Sequence, residues 1–280
     1  MTAPVLEHIG TLDGSEITFD APYGVDVAPD GRVYVFDTKN QRVRVFDQTR
    51  EPLFSWGEPG EGPGQFNSLG FGALAISSAG DVFVVDNGNF RVQKFDSEGS
   101  FILAFCAQGE GSGTFTRAIG VALDGTGKVY ITDDALPLVQ IFDNNGNFLR
   151  QFGSGGAEPG QFEHATGINL DSSGQIYVAD YSLKHVQVFD NDGNFLRSFE
   201  IGQSGPVPGT PEGLNIDAAG RIYVSDYDRG LVEVYTPENK FLVEFGESEL
   251  GAPVDIGISS DGIVYVTDQR SGLVHVYQIK

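Results

Sequence analysis

Three landmarks recur six times in this 280-residue chain, always in the same order. The first is a small residue followed by glycine, the second is an aspartate ending a Val-Tyr-Val-like string, and the third is an aromatic residue ending the next apolar string. The aspartates are Asp37, Asp86, Asp133, Asp180, Asp226 and Asp268. They are 49, 47, 47, 46 and 42 residues apart, and the other two landmarks repeat with the same steps. Such self-similarity predicts an array of similar structural units.

Each unit has the pattern of a four-stranded antiparallel meander. In the fourth unit, apolar residues alternate with polar ones in four short runs, at residues 167–170, 176–180, 186–189 and 195–199. Turn-forming residues, rich in Ser, Asp, Asn and Gly, separate the first two runs and the last two. An alternating period indicates β-strands, and no long run with helical periodicity occurs. Six such units predict an all-β fold, a six-bladed β-propeller with one four-stranded blade per unit.

The amino terminus supplies a strand that the sixth unit lacks. That unit has only three strand-like runs, whereas Val5 to Gly10 aligns with the fourth strands of other units, such as residues 148–152. We therefore expect residues 4–10 to complete blade six and close the ring, which removes exposed sheet edges. The predicted organisation is a single domain, residues 1–280, with blades at about 20–57, 67–106, 117–153, 164–200, 211–246 and 252–280 plus 4–10.

One known family has this repeat. The segment from Gly24 to Asp47, followed by the glycine-rich stretch 57–66, resembles the NHL-repeat consensus. Arg42 and Arg91 match the arginine that the family places before the third strand, whereas the later units carry Leu138, His185, Leu231 and Leu273 there. The resemblance covers nearly the whole chain and implies the six-bladed propeller. It implies little about activity, because such propellers include scaffolds, RNA binders, sensor domains and a few metal-dependent lyases.

The charge balance restricts the partners. The chain has 39 acidic and 17 basic residues, a formal net charge of -22. Acidic side chains predominate in the loops after the second and fourth strands of each unit, which leave the propeller on one side, here called the loop face. RNA binding needs a basic surface that neutralises phosphates, so we expect neither nucleic acid nor an anionic membrane as a partner. The acidic balance suits a cationic ligand, secretion or a high-salt habitat.

The sequence also suggests a setting for the protein. No stretch approaches the twenty or so apolar residues that a membrane-spanning helix needs. We expect a soluble monomer, and an extracytoplasmic compartment is favoured over the cytoplasm.

Two histidines of the fourth unit break the repeat pattern. His164 precedes the first strand of that unit and His185 enters its third strand, so both are predicted at the loop face. The other irregular side chains expected near the channel mouth at this face are Tyr23, Arg117, Tyr181, Glu212 and Tyr227. Convergent aromatic and ionisable groups are typical of a small-molecule or peptide site. These seven residues form the predicted ligand site; the alternative interpretation is that they are ordinary exposed loop residues.

A metal interpretation is also open. Two imidazoles and a carboxylate match the ligands of zinc, so His164 and His185 with Asp134 or Glu212 form a candidate metal site. The six strand-ending aspartates offer oxygen atoms of the kind that calcium binds. Their occurrence once in every unit instead favours a structural role, accepting hydrogen bonds from backbone N–H groups of the adjoining loop.

Two functions from different classes remain. The first is a non-catalytic scaffold that binds a peptide, protein or glycan ligand through the loop face, because binding residues usually lie on variable loops over a rigid framework. The long loops 57–66, 109–115 and 153–162 belong to that face. The second is a metal-assisted lyase or hydrolase with its site at the loop-face mouth of the central channel. No motif of Ser-His-Asp catalysis distinguishes the chain.

Overall fold

The computed structural model describes residues 2–12 and 19–280, and its strands form six four-stranded antiparallel sheets. The amino-terminal strand is β1 (Leu6–Thr11). Blade 1 contains β2 (Pro22–Val27), β3 (Val33–Asp37), β4 (Arg42–Phe46) and β5 (Pro52–Trp56). Blade 2 contains β6 (Leu74–Ile76), β7 (Val82–Asp86), β8 (Arg91–Phe95) and β9 (Phe101–Phe105). Blade 3 contains β10 (Ala118–Leu123), β11 (Val129–Asp133), β12 (Leu138–Phe142) and β13 (Phe148–Phe152).

The second half of the chain repeats this arrangement. Blade 4 contains β14 (Ala165–Leu170), β15 (Ile176–Asp180), β16 (His185–Phe189) and β17 (Phe195–Glu200). Blade 5 contains β18 (Pro211–Ile216), β19 (Ile222–Asp226), β20 (Leu231–Tyr235) and β21 (Phe241–Phe245). Blade 6 contains β22 (Pro253–Ile258), β23 (Ile263–Asp268) and β24 (Leu273–Ile279), to which β1 adds the fourth strand. Two short 3-10 helices, Thr38–Asn40 and Asn87–Asn89, follow β3 and β7. The prediction of a six-bladed propeller is confirmed.

The ring closes through its two ends, as predicted. Strand β1 pairs antiparallel with β24, from Leu6 opposite Ile279 to Thr11 opposite His275, with a bulge between His8 and Gly10. The expected strand at residues 4–10 is thus observed at Leu6–Thr11. Beyond it, the backbone N–H of Leu12 donates to the carbonyl oxygen of Val274 at 2.7 Å. Closure in this way pairs the outer edge of β24.

The hydrophobic core lies between blades rather than inside them. All five residues of the second strand of blades 1 to 5 are buried, because a neighbouring blade covers each face of the sheet. The long loops take part in this packing, since Phe66, Phe115 and Phe162 are completely buried at their ends. Gly57, with a φ of 101°, permits this, because a Cβ there would lie 2.6 Å from the Phe66 ring. These loops are therefore structural wedges between blades.

Polar side chains on the third strands hold the same loops. In blade 2, the Gln93 amide donates to the carbonyl of Gln65 at 2.7 Å and accepts from the N–H of Gly64 at 3.0 Å. Gln140 and Gln187 make the equivalent pairs of bonds in blades 3 and 4. Each long loop is thus tied to the blade that follows it.

The six strand-ending aspartates are structural. Asp180, for example, accepts from the backbone N–H of Glu163 at 2.8 Å and from that of Leu183 at 3.0 Å. The other five accept equivalent bonds from the segment that precedes the inner strand of their own blade. All six are completely buried. Their oxygens satisfy backbone donors at the loop face, which confirms the structural interpretation and explains one copy per unit.

Among the described residues, no helix is long and apolar enough to cross a membrane.

Candidate functional site at the mouth of the central channel

The inner strands surround a central channel, and a cavity of about 360 Å³ opens at its mouth on the loop face. The side chains that matter are those just before each inner strand, on its second residue, or just after the second strand, because the meander brings these three positions to the same end of the blade. The lining residues are Phe71, Arg117, Ile119, Asp134, His164, Thr166, Tyr181, Ser182, Glu212, Tyr227, Val254 and Gln269. The volume is at the small end of the range for ligand sites.

Glu212 on β18 forms the floor of this cavity and also lines the channel beneath it. Its side chain is buried, and its Oε1 accepts a 2.5 Å hydrogen bond from the hydroxyl of Tyr23 on β2. Burial raises the pKa of Glu212 to about 7, with smaller contributions from the nearby carboxylates of Asp134 and Asp228. Burial also raises the pKa of Tyr23 well above its usual value, so the phenol remains a donor. A carboxyl group of this kind exchanges its proton near neutral pH.

A second group of polar side chains forms one wall. Arg117 donates from Nε to Oδ1 of Asp134, which follows β11. Burial raises the pKa of Asp134, while the Arg117 guanidinium opposes that rise. His164 lies beside them and shares a 2.6 Å hydrogen bond between its Nδ1 and the Ser182 hydroxyl. This wall presents the Arg117–Asp134 ion pair and a hydrogen-bonded Ser-His pair.

Aromatic rings form the remaining walls. Tyr181 and Tyr227, which follow β15 and β19, meet edge to face with ring centroids 6.3 Å apart. On another side, Phe71 meets the Tyr23 ring edge to face at 6.0 Å. The ammonium of Lys184 lies 4.6 Å from the centre of the Tyr181 ring. The cavity therefore combines apolar aromatic surface with a few polar groups, the usual composition of a ligand site.

Further carboxyl groups line the channel below the mouth. Burial raises the pKa of Asp26 to about 6 and that of Asp255 to about 8, and the charge of Asp26 contributes to the second shift. Asp255 accepts from the N–H groups of Val25 and Ile256, at 3.1 and 2.9 Å. Both carboxyls thus bond backbone groups at the junction of blades 1, 2 and 6, which indicates a role in joining blades.

The structure brings most of the predicted site residues together. Arg117, His164, Tyr181, Glu212 and Tyr227 line the mouth cavity, and Tyr23 adjoins it through its bond to Glu212.

His185 is the exception, because it does not line the cavity. It lies on the third strand of blade 4, opposite Asp180 on one side and Glu200 on the other. Its Nε2 is buried and, among the described residues, has no hydrogen-bond partner.

The proposed metal ligands do not form a coordination group. Among residues 2–12 and 19–280, no three His, Cys, Asp or Glu side chains are placed to hold a metal ion. Asp134 is engaged by Arg117, Glu212 by Tyr23, and His185 is outside the cavity. The donor set therefore does not fit zinc or calcium.

Some lining residues were absent from the sequence prediction. Phe71, Ser182 and Gln269 were not identified, and the amide of Gln269 fixes the loop before β6 by donating to the carbonyl of Gly70 at 2.6 Å. A signal for Phe71 was present, because the longest repeat step, 49 residues, places additional residues between blades 1 and 2. Ser182 and Gln269 have no such signal, since loop residues of this type are ordinary.

Comparison with known proteins supports the repeat and the architecture. The family described as NHL repeat matches residues 19–46 and 73–95, and a family described as 6-bladed beta-propeller matches residues 116–201. No curated protein sequence matches the chain.

Solved structures resemble the fold at low sequence identity. A catalytically inactive virginiamycin B lyase from Staphylococcus aureus with quinupristin is 12% identical, with a TM-score of 0.70, covering 99% of this chain and 100% of that one. A calcium-binding protein, regucalcin, from Agrobacterium tumefaciens is 14% identical, with a TM-score of 0.69 and coverages of 100% and 97%. A gluconolactonase from Xanthomonas campestris is 13% identical, with a TM-score of 0.71 and coverages of 100% and 96%. At such identities the likeness concerns the fold alone.

Proposed function

We propose that this chain, an NHL-repeat six-bladed β-propeller, is a non-catalytic binding protein that takes a peptide, protein or glycan ligand at the loop face. One residue-sized group of that ligand enters the mouth cavity. The observation that carries the proposal is the convergence of aromatic and ionisable side chains from several blades on one cavity of about 360 Å³. A cavity of this size accepts a side chain or a single sugar ring, while the surrounding loops contact the rest of the ligand.

The rigidity of the surroundings supports a binding role. Buried aspartates and phenylalanines fix the segments around the mouth, and the third-strand glutamines hold the long loops in place. A preorganised site loses little conformational entropy when its ligand arrives.

The experiment selects ligands from a random peptide library and a glycan panel on the immobilised protein, and compares two tryptophan variants. Ser182→Trp fills the cavity, whereas Ser172→Trp places the same side chain on an exposed turn of blade 4 at the opposite face. We expect selected ligands to lose at least about tenfold in affinity for Ser182→Trp and to bind Ser172→Trp normally. Equal binding to both variants, or no retained ligand, would overturn the proposal.

A lyase or hydrolase is the second candidate, favoured by one observation. The Ser182 hydroxyl lies 2.6 Å from His164 Nδ1 in the same cavity as Glu212, a carboxyl with a pKa of about 7. A nucleophile beside a base, with an acid nearby, is the arrangement that acyl transfer uses. Screening ester and lactone substrates with the wild type and with Ser182→Ala tests it, since turnover that persists in the variant excludes Ser182 as the nucleophile.

A further inference from the structure

Among the described residues, the charges at the mouth leave one carboxyl group without an ion-pair partner. Arg117 is paired with Asp134. Lys184 is held by the Thr210 hydroxyl at 2.8 Å and lies 3.9 Å from Asp228. Glu212 makes no ion pair with any described residue, although it is buried at the floor of the cavity.

The hydrogen bonding of Glu212 leaves an oxygen for a ligand. The Tyr23 hydroxyl occupies Oε1, and no described residue donates to Oε2. Because burying a carboxylate without a partner is costly, a ligand cation that reaches this oxygen gains both charge pairing and a hydrogen bond.

The walls of the cavity suit a cation on an apolar stem. Ammonium groups are attracted to the faces of aromatic rings, and the Lys184 ammonium already lies 4.6 Å from the Tyr181 ring centre. Phe71 and Tyr227 add further aromatic surface to the lining of the cavity that contains Glu212. The net charge of -22 attracts cations to the protein as a whole.

We infer that the mouth cavity selects a ligand that carries a primary ammonium group on an apolar stem, with the ammonium at Glu212 and the stem against Phe71 and Tyr227. This inference rests on the proposed function and names the group that enters the cavity. The ammonium belongs either to a free amine or to a lysine side chain of a peptide, and the experiment distinguishes the two.

Proton release accompanies this binding. Burial raises the pKa of Glu212 to about 7, so below that pH the group is largely protonated and must ionise to pair with an ammonium. The ionised fraction rises about tenfold between pH 6 and pH 8, and affinity rises with it. The other titratable or charged groups that face the site are Tyr23, Arg117, Asp134, His164, Tyr181, Lys184, Tyr227, Asp228 and Asp255.

The experiment measures calorimetric binding of hexylammonium, 1-hexanol and hexanoate at pH 6, 7 and 8. We expect hexylammonium to bind about tenfold or more tightly than hexanol at pH 8, and to weaken by about tenfold at pH 6. Glu212→Gln keeps the size of the side chain and should remove both the preference and its pH dependence. Glu163→Gln, an exposed glutamate of the same face, should change neither.

The outcomes separate this inference from the proposed function. If hexanol or hexanoate binds the wild type as tightly as hexylammonium, or if hexylammonium does not bind, the ammonium assignment is overturned, while the library experiment with Ser182→Trp still decides whether the mouth binds a ligand. The wild-type comparison needs no folded variant. A capped tripeptide with a central lysine, compared with hexylammonium, assigns the ammonium to a peptide or a free amine according to which binds more tightly.

Discussion

Leu12 offers a direct test of how the ring is held closed. Its side chain is completely buried between blades 6 and 1, in a cluster with Val25, Phe46, Val274 and Val276. Replacing it with alanine removes three carbon atoms and leaves a cavity beside the closing strand. Substitutions of this kind cost about 2–5 kcal/mol, which is a large share of a typical total stability of about 5–15 kcal/mol.

Urea unfolding followed by fluorescence is a suitable assay, because Trp56 is the single tryptophan and its ring lies 5.7 Å from that of Phe95 in the neighbouring blade. Leu53→Ala is the matched control, since Leu53 on β5 is 48% exposed and should lose less than about 0.5 kcal/mol. Deleting residues 1–10 removes all of β1 except Thr11 and should destabilise the protein further, because it exposes the edge of β24. If Leu12→Ala unfolds at the same urea concentration as Leu53→Ala, the closing segment does not hold the ring.

Burial raises the pKa of Asp255 to about 8, so the stability of the folded protein should fall as the pH rises from 5 to 8. Asp255→Asn should reduce that fall by about 2 kcal/mol, which is less than the free energy of the full pKa shift because the side chain is part exposed to the channel. An unchanged slope in urea titrations at several pH values would contradict this. Burial lowers the pKa of His185, so the folded protein should lose stability as the pH falls below 6.5 and this side chain gains a proton on unfolding. Leucine occupies the same position in three sister blades, and His185→Leu should stabilise the protein by about 1 kcal/mol at pH 5 and leave ligand binding intact. A loss of ligand binding in that variant would restore His185 to the site. The protein should bind neither a single-stranded RNA pool nor anionic vesicles at physiological salt, which filter binding and vesicle sedimentation can check, and submicromolar RNA binding would refute the charge argument.

The histidines show where sequence reasoning succeeded and where it stopped. His164 and His185 both fall at the loop-face end of their strands, as the meander pattern predicts. His164 precedes the inner strand β14 and lines the mouth, whereas His185 starts β16, which lies two strands further from the channel. The end of the strand at which a residue lies determines the face of the propeller on which it appears. Its distance from the central axis is determined by the place of that strand within the blade.

The sequence alone determined the number of blades, the strand pattern, the closing strand and the structural role of the repeated aspartates, because each follows from a local pattern that occurs six times. Only the tertiary structure decided which side chains meet at the mouth. Tyr23 and Glu212 are 189 residues apart and belong to blades 1 and 5, yet they share a hydrogen bond beside the channel. That contact forms across blade 6, whose Val254 packs in one cluster with Tyr23. These are properties of how six blades pack around an axis, and no single repeat contains them.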